Sequence, residues 1–177
     1  MRLSGRTYAV IVADGVEDLE YWVPVMRLRE EGATVVTVGS DTEPHRGKGG
    51  LAVRAEVLAS EFDPATADGL VVPGGWAPDK MRRDPDILAI VRSVHARGLP
   101  VGIICHGGSV AISAGIVGAR ATGSLGIKDD LVNAGAEWVD EPAFRDGNLV
   151  WGRVVADIPG FTRELVAALV ESAGARG

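Results

Sequence analysis

VGIICHGGSVAISAG (residues 101–115) runs from four residues without a polar side chain, through a cysteine and a histidine, to two glycines and a second apolar segment. Val101-Gly102-Ile103-Ile104 suits a strand covered on both faces, and residues 108–116 suit a helix. Between them stands Cys105, the one thiol of the chain, so the stretch reads as strand, sharp turn and helix with the sulfur on the turn. A cysteine kept only as a small hydrophobe belongs inside an element. One set between two elements, with glycines to relieve the crowding, is presented to a substrate in the manner of a nucleophile elbow. Amides at the helix start and the neighbouring imidazole of His106 both favour the thiolate. The competing reading is a buried structural thiol at a strand end.

The same alternation extends in both directions. Residues 7–13, 34–39, 70–72 and 149–151 read as buried strands. Residues 16–31 read as a helix turning Leu19, Trp22, Val23 and Met26, with Leu28, inward. Residues 85–97 read as a helix packed through Ile87, Ile90, Val91 and Val94, residues 126–133 as another and 161–173 as a closing one. The glycine-rich stretch 46–50 reads as a turn leading into an exposed strand over 51–57. Buried strands separated by helices imply an α/β fold: a mostly parallel sheet covered by helices on both faces, with right-handed crossovers and with reactive residues gathered at the carboxyl ends of the strands.

At 177 residues the chain is expected to form one domain, 1–177. Its net charge of -6, with no basic cluster, argues against a nucleic-acid or anionic-membrane partner and leaves small molecules or other protein chains. One cysteine makes no internal disulfide. The first apolar stretch is too short for a signal or membrane segment, so a cytoplasmic location is expected. Three scattered histidines and one cysteine lack zinc-site spacing, and no metal or cofactor is expected. His45 and His95 read as solvated residues.

Three strand ends carry polar or glycine-rich sequence. After the first, Glu17 and Glu20 stand one turn apart on a helix; a carboxylate there either shares a proton with the thiol or complements the helix dipole. After the third, Pro73-Gly74-Gly75 either forms a plain tight turn or lets an amide approach a reacting carbonyl, with the amide of His106 completing an oxyanion hole. The imidazole of His106, adjacent to Cys105, needs a turn that brings the two side chains together and a third group to orient it. Trp22 reads as core close enough to Glu20 to wall a pocket. Trp76 either covers the thiol or seals a subunit contact, and Gly74 and Gly107 complete the pocket.

Five ordered motifs carry a resemblance over nearly the whole chain: ADGVEDLEYWVP ending at Pro24, VVPGGWAPD ending at Asp79, the IICHGG elbow, ISAG over 112–115, and GIKDDLVNAGAEWVD ending at Asp140. On these the chain resembles the ThiJ/PfpI superfamily, in its branch of intracellular proteases, deglycases and general stress proteins. The resemblance implies a flavodoxin-like three-layer sandwich of the class I glutamine-amidotransferase type. It implies Cys105 as nucleophile, His106 as its imidazole partner, Glu20 as the carboxylate touching the thiol, and Gly75 and His106 as oxyanion amides. It also implies an acidic residue at position 79 supplied by a neighbouring subunit, hence a homo-oligomer, a dimer or a hexamer built from dimers. Asp79 stands where the branch commonly has Glu, Ser124-Leu125 where an aromatic is common, and Trp151-Gly152 where smaller polar residues are usual, so a changed pocket wall is expected. The implied activity is that of a cysteine-dependent enzyme acting on carbonyl carbon, on methylglyoxal or its protein adducts (glyoxalase III-like or deglycase) or on peptides. The rival is a non-catalytic oxidative-stress protein or redox sensor using Cys105.

Overall fold

A computed structural model of the protein describes residues 1–175. The strands are β1 (Thr7–Val12), β2 (Thr34–Gly39), β3 (His45–Arg46), β4 (Ala52–Val53), β5 (Val57–Leu58), β6 (Leu70–Val72), β7 (Val101–Ile104), β8 (Arg120–Ala121), β9 (Glu137–Trp138), β10 (Ala143–Asp146) and β11 (Leu149–Gly152). The helices are α1 (Asp18–Glu30), α2 (Ala77–Met81), α3 (Pro85–Ala96), α4 (Gly108–Ala114), α5 (Lys128–Asn133) and α6 (Ile158–Gly174). Seven strands form one sheet in the order β10-β11-β7-β6-β1-β2-β5, parallel throughout except for β10, which pairs antiparallel with β11. The two remaining pairs, β3 with β4 and β8 with β9, lie outside it.

From β1 the chain crosses through α1 to β2 on one side. From β6 it crosses through α2 and α3 to β7 in the opposite direction. Right-handed crossovers therefore place α1 and α3 on opposite faces. Helix packing agrees: α1 lies against α6, while α4 lies against α2, α3 and α5. This is the flavodoxin-like three-layer arrangement, and the direction reverses between β1 and β6, where open α/β sheets form their crevice. Strands β1, β6 and β7 are buried almost end to end because helices cover both faces. Tyr8, Ile11, Leu28, Leu70, Ile103, Trp151 and Phe161 lie at the centre of the core.

Helix α3 packs as its sequence predicts. Ile87, Ile90, Val91 and Val94 are buried, and Asp84 caps its start by accepting the amides of Asp86 at 2.8 Å and Ile87 at 3.3 Å. Helix α1 is turned from its expected phase. Leu28 is inward, but Leu19 and Met26 are exposed and Trp22 and Val23 only half-buried; the covered face is Asp18, Glu20, Tyr21, Pro24, Val25 and Leu28. Two carboxylates and a tyrosine occupy that face because they have partners there: the Tyr21 hydroxyl lies 2.8 Å from Thr37 Oγ1, and Asp18 and Glu20 bind backbone amides. An apolar count has no way to weigh such bonds. The expected strand over 51–57 is also divided. Residues 52–53 close a small hairpin on 45–46, and only 57–58 join the main sheet.

Candidate active site

Strand β7 delivers Cys105 at the carboxyl edge of the sheet beside the β1–β6 reversal. Cys105 has φ +58°, the one positive φ outside glycine among the described residues, and opens a 3-10 turn over Cys105–Gly107 that runs into α4. A left-handed β-carbon-bearing residue costs about 1–3 kcal/mol, which the surrounding structure must hold. It is held from below: a β-carbon on Gly107 would collide with the carbonyl oxygen of Val72, so the elbow rests directly on the end of β6.

The turn after β6 is stitched to the turn after β1. Glu17 N donates to Gly74 O at 3.1 Å, Trp76 N to Gly15 O at 2.8 Å, and Gly75, at φ +79°, bridges Val16. A β-carbon on Gly74 would lie 2.7 Å from Glu20 Oε2 and 2.8 Å from both Cys105 Cβ and His106 N. Only glycine lets these three groups converge. Glu20 is fully buried, and its Oε2 accepts the Gly74 amide at 2.8 Å; Oε1 has no nitrogen or oxygen partner and is left for the thiol.

Burial pushes the Glu20 carboxyl up to about 7, against the opposing pull of the Gly74 amide and the Cys105 thiol. The thiol is pushed up to about 12, first by burial and then by the neighbouring Glu20 charge, although the amides of His106 and Gly75 both point at the sulfur and favour the thiolate. The expected stabilised thiolate is thus not what the surroundings produce: burial and a carboxylate outweigh two amides. Near neutrality the thiol is therefore protonated, while the Glu20 carboxyl beside it titrates. His106 Nδ1 lies 3.4 Å from the sulfur, so the turn does bring the adjacent side chains back together. Burial, then the charge of Lys48, holds the imidazole below its usual range and neutral.

A cavity of about 410 Å³ opens over the thiol, lined by Glu17, Glu20, Lys48, Gly75, Trp76, Cys105, His106, Ser124 and residues 154–156. A larger depression of about 570 Å³ beside Arg97 and Arg145 contains no thiol and lies by Pro100, at the opposite end of β7. Among the described residues no cluster of His, Cys, Asp or Glu is placed to hold a metal ion, and no helix is long and apolar enough to cross a membrane.

Cys105, His106, Glu20, Gly75 and Trp76 therefore come together. Gly74 and Gly107 sit beneath the cavity, keeping backbone contacts close, and do not line it. Trp22 is elsewhere: it packs edge-on against Tyr21 with ring centroids 5.0 Å apart and borders a separate depression with Thr37, Val53 and Arg54, a consequence of the turned phase of α1. Trp151 is fully buried in β11 beside Ile103, so the wall it was expected to alter is formed by Val154, Val155 and Ala156. Asp79 is exposed on α2 and pairs with Arg83 at 3.1 Å; it borders a neighbouring depression of about 400 Å³ that His106 also reaches. Sequence reading missed Lys48. Its turn, 47–50, follows β3, and nothing local announces that the turn folds back over the first strand end, where Lys48 N donates to Val16 O at 2.7 Å.

Comparison with known proteins agrees with this fold. The chain is 40% identical over 160 residues to Deglycase PH1704 of Pyrococcus horikoshii, covering 90% of this chain and 96% of the relative. It is 35% identical over 161 residues to the putative cysteine protease YraA of Bacillus subtilis, covering 90% and 95%. A two-domain Anabaena variabilis protein with DJ-1/ThiJ/PfpI-like and ferritin-like domains superposes with a TM-score of 0.90 at 34% identity, over 93% of this chain and 48% of that one. Residues 6–168 match the DJ-1/PfpI family, with the elbow thiol, the buried glutamate and the paired glycine turn all inside the matched span, and the chain belongs to that family.

Proposed function

We propose that the protein is a cysteine-dependent enzyme acting on small carbonyl compounds, with methylglyoxal or its early adducts on protein amines as substrate and lactate as product. The observation that carries this reading is Cys105 at φ +58°, its thiol set between the neutral imidazole of His106 and the buried carboxyl of Glu20 at the floor of an open cavity. Relatives named deglycase and putative cysteine protease support it. A peptide substrate fits less well, because the cavity of about 410 Å³ suits a small molecule or a single side chain.

The thiol proton passes to Glu20 Oε1, a base poised near neutral pH, as the sulfur adds to the aldehyde carbon. The C–S bond forms, the C=O π bond breaks, and the oxyanion lies against the amides of Gly75 and His106. His106 then removes the proton from the same carbon and returns one to the adjacent carbonyl carbon, which converts the hemithioacetal to a lactoyl thioester. Water cleaves the thioester and restores the thiol. The exposed Asp79, near a depression that also reaches His106, supports supply of the orienting carboxylate by a neighbouring copy of the chain. The rival role as an oxidation sensor needs a standing thiolate to attack peroxide, which a thiol pushed up to about 12 does not supply, whereas carbonyl addition hands the proton to Glu20 in the same step.

Steady-state assays with methylglyoxal, reading lactate, test the proposal. Wild type should turn over and Cys105→Ala should not, and His106→Ala should lose roughly 10²–10⁴-fold in kcat. Lactate formation by Cys105→Ala at the wild-type rate would end the reading.

A further inference from the structure

Lys48 stands at the mouth of the cavity on a turn built to hold it there. The buried Asp18 carboxylate accepts the amides of Gly49 and Leu51, the latter at 2.8 Å. A β-carbon at Gly47 or Gly49 would run into that carboxylate, so the glycines wrap it closely. Two backbone bonds, Gly15 N to Arg46 O at 2.9 Å and Lys48 N to Val16 O at 2.7 Å, tie the turn to the first strand end. The ammonium lies 5.6 Å from the centroid of the Trp76 ring and makes no carboxylate ion pair among the described residues. Its charge is felt inside the cavity: it lowers the proton affinity of both Glu20 and His106.

The two carboxylates there each accept a backbone amide through one oxygen. Glu17 Oε2 accepts the Glu20 amide at 3.0 Å as the cap of α1, and Glu20 Oε2 accepts the Gly74 amide. Ser124, which lines the same cavity and whose Oγ accepts the Gly126 amide at 3.4 Å, retains its hydroxyl proton for donation. A cation without a carboxylate partner, lining one cavity with a carbonyl-attacking thiol and a hydroxyl donor, is suited to an anionic oxygen group on the substrate.

Resting on the carbonyl-addition reading above, we propose that Lys48 makes this site selective for small carbonyl compounds whose reactive carbon adjoins a carboxylate, with Asp18 as the residue that positions it. The carboxylate meets the ammonium and the Ser124 hydroxyl while the sulfur adds to the aldehyde carbon; the C–S bond forms, and the new alkoxide takes the proton given up by the thiol.

Glyoxylate and glycolaldehyde are aldehydes of equal length that differ in charge, and neither can rearrange as methylglyoxal does. Their dissociation constants, measured by titration calorimetry on wild type, Lys48→Met and Lys48→Arg, test the proposal. Lys48→Met should weaken glyoxylate about tenfold and glycolaldehyde less than twofold, whereas Lys48→Arg should keep the wild-type ratio. Hydration of each aldehyde cancels in the comparison between variants. Equal loss of both ligands in Lys48→Met, an unchanged glyoxylate constant, or no binding of glyoxylate to wild type would overturn it. Methylglyoxal turnover by wild type is a separate readout. Its absence beside an intact Lys48-dependent preference would refute the dicarbonyl reaction and not the anion selectivity.

Discussion

Cys105 and Glu20 concentrate the energetic cost of the site in two residues. The left-handed backbone at Cys105 leads to a difference between two inactive variants: Cys105→Gly should be more stable than Cys105→Ala by about 1 kcal/mol in urea unfolding, because only glycine meets φ +58° without strain. Glu20 makes stability depend on pH. Its carboxyl is raised from 4.5 to about 7 on folding, so between those values the folded chain keeps a proton that the unfolded chain has lost. This contribution is fully present below pH 4.5 and disappears as pH rises to about 7, with a slope of at most ~1.4 kcal/mol per pH unit. Glu20→Gln should remove that slope in denaturation curves taken across the window. A slope that survives the substitution would place the titrating group elsewhere. Activity should move in the opposite sense, rising through about pH 7 as Glu20 becomes available as a base.

At the scale of elements, close approach matters more than propensity. Strand β7 carries Gly102, where a β-carbon would lie 2.9 Å from Leu165 Cδ1 and 3.0 Å from Phe161 Cζ, so α6 lies directly on the strand that delivers the nucleophile. Gly102→Val should cost about 1–3 kcal/mol by overpacking, and adding Leu165→Ala should recover part of the loss. Purely additive effects in that double-mutant cycle would deny the contact. The turn over 47–50 depends similarly on Asp18. Asp18→Ala leaves two amides without their acceptor and should destabilise by about 1–3 kcal/mol, with the loss read in urea unfolding. Helix α1 shows why its phase escaped periodicity. Leu19, Trp22, Val23 and Met26 form an apolar stripe, yet hydrogen bonds available to Asp18, Glu20 and Tyr21 decided which side turned inward.

For the whole molecule, the arrangement of Asp79 and His106 bears on assembly. If Asp79 completes a neighbour's site, specific activity should fall on dilution through the association constant, and Asp79→Ala should lose activity while keeping its fold. Full activity in a preparation that sediments as monomer would remove Asp79 from the reaction. The strand–turn–helix order of residues 101–115, the buried runs of β1, β6 and β7 and the packing face of α3 were all legible in the chain, because burial on both sides of a parallel sheet demands long apolar runs and a helix covering it demands a 3.6-residue rhythm. The thiol on its turn was legible too, since a sharp turn under a nucleophile restricts the residue types that fit, whereas the residues alone left Glu20 and the paired glycines open between two readings and only the resemblance gave them a role. Tertiary structure alone decided that Lys48 overhangs the cavity, that Trp22 and Trp151 lie away from it, and that burial beside Glu20 keeps the thiol protonated where adjacent amides and imidazole had pointed to thiolate. Each of these depends on which distant groups share a small volume and how much water they exclude, and neither quantity is carried by local sequence.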